Sequence, residues 1–179
     1  MDPGHCSHWV FGYGSLIFKA DFPFAEACPA SITGWQRRFW QGSHDHRGTP
    51  DAPGRVVTLI PTPDAVCHGL AYRVPDEVFD HLDHREKNGY RRLQVAISLQ
   101  HGPVVEGTTY YAGADNEAFL GAAPDHRIAS HILASQGPSG SNLDYLERLA
   151  RALRRMGCPD SHVENIFRIA QEQAGSNLE

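Results

Sequence analysis

The spacing of apolar positions changes along the chain, from strand-like runs in the first two-thirds to helical stripes in the last third. Trp9, Val10 and Phe11 are a short continuous apolar run that predicts a buried strand. Residues 18–30 read as irregular, punctuated by Pro23 and Pro29. Residues 31–40 (S-I-T-G-W-Q-R-R-F-W) are rich in β-branched and aromatic side chains and predict a second strand. Residues 55–60 and 67–74 predict two more, with P-T-P-D-A between them as a hairpin link. Pro75 opens a helix that should run to about residue 87 and end on Asn88-Gly89 as a left-handed cap. Residues 90–100 and 104–112 predict a hairpin turning through His101-Gly102-Pro103. From Pro124 the period becomes helical. Ile128, Ile132 and Leu133 mark one helix, which Gly137 ends. Leu143, Leu146, Leu149, Ala150 and Leu153 mark a second, capped by Asn142 and broken at Cys158-Pro159. Val163, Ile166, Phe167 and Ala170 mark a third over residues 160–174. Strands first and helices last predict an α+β fold, with a largely antiparallel sheet or small barrel and a helical C-terminal part. A flexible N-terminus (1–8), a single domain (9–174) and a tail (175–179) complete the expected organisation.

Composition narrows the partners. With 179 residues the chain suffices for one ordinary domain with a sizeable core. The 41% hydrophobic and 21% charged residues are those of a soluble globular protein. A net charge of −5 argues against nucleic acid as partner. No apolar run approaches the about 20 residues of a membrane span, and the N-terminus lacks the pattern of a signal peptide. Cys6, Cys28, Cys67 and Cys158 form no C-x-x-C and read as reduced thiols, which points to the cytoplasm.

The first strand ends in a glycine turn, G-Y-G-S-L-I, residues 12–17. Gly12 and Gly14 widen the backbone conformations open to it, and such a turn can aim several N–H groups at one carboxylate or oxyanion. A tight turn with no ligand is the other reading. The common glycine motifs do not fit. Ile17 stands where a dinucleotide fingerprint needs glycine, the Gly-Lys-Ser/Thr of a Walker loop is missing, and Tyr13 and Ile17 replace the glycines of a nucleophile elbow around Ser15.

The helix expected over residues 75–87 carries the second informative feature. At about 100° per residue, Val78, Phe79 and Leu82 define an apolar arc, and Glu86 falls inside it in the last turn. Burial and the negative end of the helix dipole both raise a carboxylate pKa, towards the range of a general base. Periodicity alone leaves a second reading open, in which Glu86 reaches water or pairs with Arg85, Arg91 or Arg92. His81 and His84 lie away from this arc, towards solvent. His44-x-His46 and His5-Cys6-x-His8 likewise match no metal-ligand spacing, so neither metal nor cofactor is expected. No serine or cysteine has an evident base beside it.

Five motifs occur in one order: F-G-Y-G-S-L at 11–16, R-R-F-W-Q-G-S-x-D-H-R-G at 37–48, P-G-R-V-V-T-L at 53–59, R-E-K-N-G-Y at 85–90 and G-P-S-G at 137–140. Together they closely resemble the ChaC family of glutathione-specific γ-glutamylcyclotransferases, over roughly residues 9–150. The resemblance implies a small mixed β-barrel or sheet of the γ-glutamylcyclotransferase type with helices around it. It implies a lyase reaction converting glutathione, a small-molecule substrate, into 5-oxoproline and cysteinylglycine. It also implies that Gly12, Tyr13, Gly14, Ser15, Leu16 and Ile17 hold the γ-glutamyl moiety, and that Glu86 is the catalytic glutamate. Asp45, His46, Arg47, Tyr111 and Tyr145 are weaker candidates for substrate contacts. Phe18, Asn88, Ala122 and Ser141 depart from the family's tryptophan, glycine, proline and arginine. The last bears on the far end of the substrate, and so on preference among γ-glutamyl compounds. The alternatives are a cyclotransferase of other γ-glutamyl compounds, a non-catalytic γ-glutamyl-binding protein, and a metal-dependent hydrolase using the histidines.

Overall fold

The expected first strand forms as β1 (His8–Gly12), in a computed structural model that describes residues 8–85 and 89–176. Its glycine turn winds into a single short helical turn, α1 (Ser15–Phe18). Then come β2 (Glu26–Ser43), β3 (Gly54–Val74) and α2 (Glu77–Arg85). The hairpin strands β4 (Arg91–Leu99) and β5 (Val104–Tyr111) follow. The strand order β1-β3-β2-β4-β5 closes into a barrel, β1 pairing antiparallel with β3 and parallel with β5 through Val10 and Thr108. The mixed barrel expected from the family resemblance is therefore present.

Two strands are longer than their sequence suggests. β2 begins at Glu26, inside the stretch expected to be irregular, and the amide of Ala25 just before it donates to the Arg73 carbonyl. Pairing between distant segments organises residues that Pro23 and Pro29 make look locally broken. The hairpin expected within residues 55–74 is one uninterrupted element, β3, whose Asp64 adopts φ 65°. Aspartate tolerates that left-handed conformation better than most residues. The 99–104 hairpin forms as expected. His101 (φ 58°) turns it, the Gly102 amide donates to the Leu99 carbonyl at 3.2 Å, and Leu99 N–H donates to Pro103 at 3.3 Å. At the start of α2, Pro75 leaves its carbonyl to accept from Val78 N–H.

The chain divides into two compact units: Met1–Gln36 with Leu59–Asn116, and Arg37–Thr58 with Glu117–Glu179. The core of the first gathers Val10, Leu16, Phe22, Tyr72, Val74, Val78, Leu82 and Tyr110. Residues of β1, the α1 turn, β3, α2 and β5 thus share one apolar cluster.

The second unit carries the three expected helices, α3 (Asp125–Leu133), α4 (Asn142–Arg155) and α5 (Ser161–Ser176). A two-residue ribbon of β6 (Gln136–Gly137) and β7 (Gly140–Ser141) precedes α4. The apolar stripes read from sequence are buried: Ile128 and Ile132, then Leu146, Leu149 and Leu153, then Val163, Ile166 and Ala170. Truncating any one of these leucines should cost about 2–5 kcal/mol. The cap of α4 differs from expectation. Ser141 accepts from Asp144 N–H at 3.0 Å, whereas Asn142 is buried. Its amide spans the backbone of Arg55, accepting from N–H at 2.7 Å and donating to the carbonyl at 2.8 Å. Both residues are good caps, and a long-range partner decides between them.

Asp160 serves two structures at once. One oxygen caps α5 by accepting from His162 and Val163 N–H, and the other pairs with the buried Arg37 guanidinium at 2.8 Å. His162 accepts the Phe39 N–H on Nε2 at 3.0 Å, so the neutral ring carries its proton on Nδ1, towards Asp125 at 3.9 Å. Burial, reinforced by Arg38, lowers its pKa from 6.5 to about 4. The neutral ring is the folded form, so its contribution is complete above pH 6.5 and is lost as pH falls through about 4. Urea unfolding of the wild type should lose about 3 kcal/mol more between pH 7 and pH 4 than unfolding of His162→Gln. Equal losses in the two proteins would show that another group titrates.

Candidate active site

The 12–17 loop is held by three hydroxyl-to-carbonyl hydrogen bonds. The buried Thr109 hydroxyl donates to the Phe11 carbonyl at 2.9 Å, just before the loop. Tyr13 turns its own hydroxyl to the Tyr110 carbonyl at 2.6 Å. The Tyr72 hydroxyl donates to the Leu16 carbonyl at 2.5 Å. Burial pushes the Tyr72 phenol up to about 12, so it stays a protonated donor at physiological pH. Within the turn, Ile17 N–H donates to the Gly14 carbonyl and Lys19 N–H to that of Ser15. Tyr13, Leu16 and Ile17 are buried and Ser15 is half-buried. The backbone approaches are too close for side chains at two positions. A Cβ on Gly12 would lie 2.6 Å from that of Leu16, and one on Gly69 would lie 2.2 Å from the Gly12 carbonyl oxygen. Gly12 is therefore required by the fold, whatever else the loop holds.

Glu86 lies outside the described residues, as does Asn88, but the helix leading to Glu86 is seen. α2 turns Val78 and Leu82 inward, keeps Phe79 half-buried, and leaves His81 and His84 exposed, as the apolar arc requires. Two of the three arginines that the sequence offers Glu86 as partners are engaged by aspartates. Arg92 Nε donates to Asp83 Oδ1 at 2.8 Å, with a second contact from its Nη2 to Oδ2. Arg91 pairs with Asp115. Tyr110 also donates to Asp83 Oδ1, at 2.7 Å. The hydrogen bond from Arg92 holds the Asp83 carboxyl below the usual carboxylate range, and burial with the Asp83 bond pushes the Tyr110 phenol up.

The weaker candidates separate. Tyr111 belongs to the first unit, where its ring lies 5.5 Å from that of Trp35. Asp45, His46, Arg47 and Tyr145 belong to the second. There Arg47 is buried, donating to the Ser141 carbonyl at 3.0 Å and pairing with Asp144 at 2.9 Å, with its guanidinium 5.7 Å from the Tyr145 ring. His46 meets the Ser139 hydroxyl at 3.0 Å. These contacts tie the 44–53 loop to the G-P-S-G turn, so the two motifs stand together within that unit. Among the described residues no group of three His, Cys, Asp or Glu is placed to hold a metal ion, and no helix is long and apolar enough to cross a membrane.

Sequence reasoning missed Tyr72, Thr109, Tyr110 and Asp83. The available signal was a tyrosine or threonine in a buried strand, whose hydroxyl must find an acceptor. Which acceptor it finds depends on pairing between segments.

A five-stranded mixed barrel, a glycine turn closing its first strand and a helix packed beside that turn define an α+β scaffold of the γ-glutamylcyclotransferase type. A family model described as ChaC-like protein matches residues 8–173. Gamma-glutamylcyclotransferase 2-3 of Arabidopsis thaliana is 44% identical over 170 residues, covering 88% of this chain and 85% of that protein. Glutathione-specific gamma-glutamylcyclotransferase 1 of Danio rerio is 40% identical over 174 residues, covering 93% of this chain and 88% of that one. The crystal structure of a selenomethionine-labelled γ-glutamyl cyclotransferase specific to glutathione, from yeast, superposes with a TM-score of 0.87 at 34% identity, over 92% of this chain and 96% of that one. The chain belongs to the ChaC-like protein family.

The Tyr72 hydroxyl gives this site a direct structural test. Tyr72→Phe removes the donor to the Leu16 carbonyl and little else. Urea unfolding should show a loss of about 1–3 kcal/mol. A loss below about 0.5 kcal/mol would mean that water or a rearranged donor replaces the phenol.

Proposed function

We infer that the protein is a glutathione-specific γ-glutamylcyclotransferase, which converts glutathione into 5-oxoproline and cysteinylglycine. The observation that carries this reading is whole-chain similarity to enzymes of that name, at 40% identity over 93% of the chain for the Danio rerio protein. The sequence carries both the glycine turn and Glu86, to which the family resemblance assigns the site.

The substrate supplies its own nucleophile. Its α-amine attacks its γ-carbonyl carbon, a five-membered lactam forms, and the amide C–N bond to cysteine breaks. One proton leaves the attacking amine and one arrives on the departing cysteinyl nitrogen, so the reaction balances without water. Ring closure within one molecule draws several kcal/mol from positioning alone. The enzyme must fold the γ-glutamyl group, move the proton and hold the oxyanion.

Glu86 takes the amine proton as base and returns it to the leaving nitrogen as acid. Arg91 and Arg92 are already bound to Asp115 and Asp83, which favours this role over an ion pair. Backbone N–H groups of residues 13–16 hold substrate oxygens, while Gly12, Leu16 and Ile17 shape the turn that presents them. Reduced thiols and glutathione as substrate fit the cytoplasm.

Release of 5-oxoproline from reduced glutathione tests the reading, with oxidised glutathione and γ-glutamyl-alanine assayed beside it. Reduced glutathione should be turned over with a chelator present and should be preferred. Glu86→Gln should fold with an unchanged melting temperature and lose at least about 100-fold in rate. Full activity in that variant would remove Glu86 from the mechanism. Faster turnover of γ-glutamyl-alanine would make the protein a cyclotransferase of other γ-glutamyl compounds.

A further inference from the structure

Helix α2 meets the barrel in two ways. Val78 and Leu82 sink into the cluster that also holds Leu16, Tyr72 and Tyr110. Apolar contact of this kind is non-directional, and by itself it tolerates small rotations and slides of a nine-residue helix. The second connection is directional. Arg92 on β4 and Tyr110 on β5 are paired residues, opposite one another across the two strands. Both side chains converge on one carboxylate, Asp83 of α2. Arg92 reaches both of its oxygens and Tyr110 donates to Oδ1 at 2.7 Å. The Arg92 guanidinium also lies 4.9 Å from the ring of Phe79, one turn earlier on the same helix. A planar fork on a carboxylate, a phenol on the same carboxylate and a stacked ring together fix the height and rotation of α2 on the sheet.

The same β5 residue holds the loop. The Tyr110 carbonyl accepts the Tyr13 hydroxyl at 2.6 Å. Tyr110 therefore bonds α2 through its side chain and the 12–17 loop through its backbone. Asp83 stands three residues before Glu86 in the sequence, in the last turn of α2.

We propose that Tyr110, Asp83 and Arg92 are positioning residues that lock α2 against the 12–17 loop, and so set the point from which residue 86 is presented to a γ-glutamyl group held there. The inference rests on the reading of Glu86 as the base. A base that serves the amine and then the leaving nitrogen needs its placement fixed to a fraction of an ångström, and a misplacement of about 1 Å lowers such a step by about 100-fold. The cross-strand pair supplies this constraint in the last turn of the helix, through a partly exposed carboxylate next to the buried Leu82. An exposed ion pair adds little to global stability, so the catalytic effect separates from the stability effect.

The test measures kcat and KM for reduced glutathione, with thermal melts, for Tyr110→Phe, Asp83→Asn and the double variant. Glu86→Gln and Arg168→Ala are measured beside them. Each of the first two should lower kcat about 10- to 100-fold and leave KM within about two-fold, with the melting temperature near that of the wild type. The double variant should be no slower than the worse single one, because both cut one linkage. Arg168→Ala removes an exposed ion pair with Glu172 on α5 and should leave kcat and KM unchanged. Wild-type kcat and KM in Tyr110→Phe and Asp83→Asn, with Glu86→Gln inactive, would overturn the linkage and leave the site reading intact. Full activity in Glu86→Gln would overturn both. A raised KM with unchanged kcat would also overturn the proposal, because the effect would then fall on the loop's grip on substrate. A loss of rate that follows only the loss of folded protein would reduce the cluster to a stabilising contact.

Discussion

A phenol taken out of water must find an acceptor, or the fold loses about 1–3 kcal/mol for each unmet group. In the first unit three hydroxyls bind backbone carbonyls and tie one short turn to its surroundings. Tyr72 from β3 satisfies its hydroxyl at Leu16 within the turn, Thr109 from β5 does so at Phe11 just before it, and Tyr13 of the turn reaches out to the Tyr110 carbonyl on β5. Each bond links strands that are far apart in sequence. The turn after β1 cannot drift without stranding a buried polar group, and Gly12 and Gly69 allow the backbones to approach closely enough for the bonds to form. The shape of the 12–17 loop is thus set from outside it.

The second unit solves its polar problem differently. Its buried arginines are satisfied in part by carbonyls. Arg55 donates to the carbonyls of Phe39 and Gly121, and burial lowers its pKa. Arg37 and Arg47 each meet one aspartate that also serves a helix: Asp160 caps α5, and Asp144 lies in the first turn of α4. Charge burial there is coupled to helix initiation, so the 44–53 loop is tied down although Gly48, Pro50 and Pro53 break its local pattern.

An intramolecular cyclisation suits such a scaffold. No side-chain nucleophile, activated water or metal enters the balanced reaction, so the demand falls on backbone geometry and one movable proton. On the proposed reading, the 12–17 turn provides the first, and Glu86, the residue that follows α2 in the sequence, provides the second. Arg91 and Arg92, two of the three arginines that the sequence offers Glu86 as partners, are engaged by Asp115 and Asp83.

Local pattern made much of this readable. The strand over residues 9–11, its glycine stop, the hairpin turning at 101–103 and the three C-terminal helices all follow from periodicity and turn chemistry within a few residues. The apolar arc of α2, with His81 and His84 turned to solvent, follows from helical geometry alone. The order of five motifs carries the family, and together with the helical arc and the glycine turn it points to Glu86 and the 12–17 loop. What the sequence left undecided depended on partners distant along the chain. Ser141 rather than Asn142 caps α4 because Arg55 claims the asparagine. Residues 26–30 extend because a partner strand pairs with them, as Ala30 does with Leu99. Tyr72 and Tyr110 looked like ordinary strand aromatics until the barrel placed their hydroxyls against Leu16 and Asp83. Sequence determines which segments want to be strand, turn or helix, because those preferences are local. Only the closed barrel decides which buried hydroxyl meets which carbonyl or carboxylate, because that is a matter of register between strands.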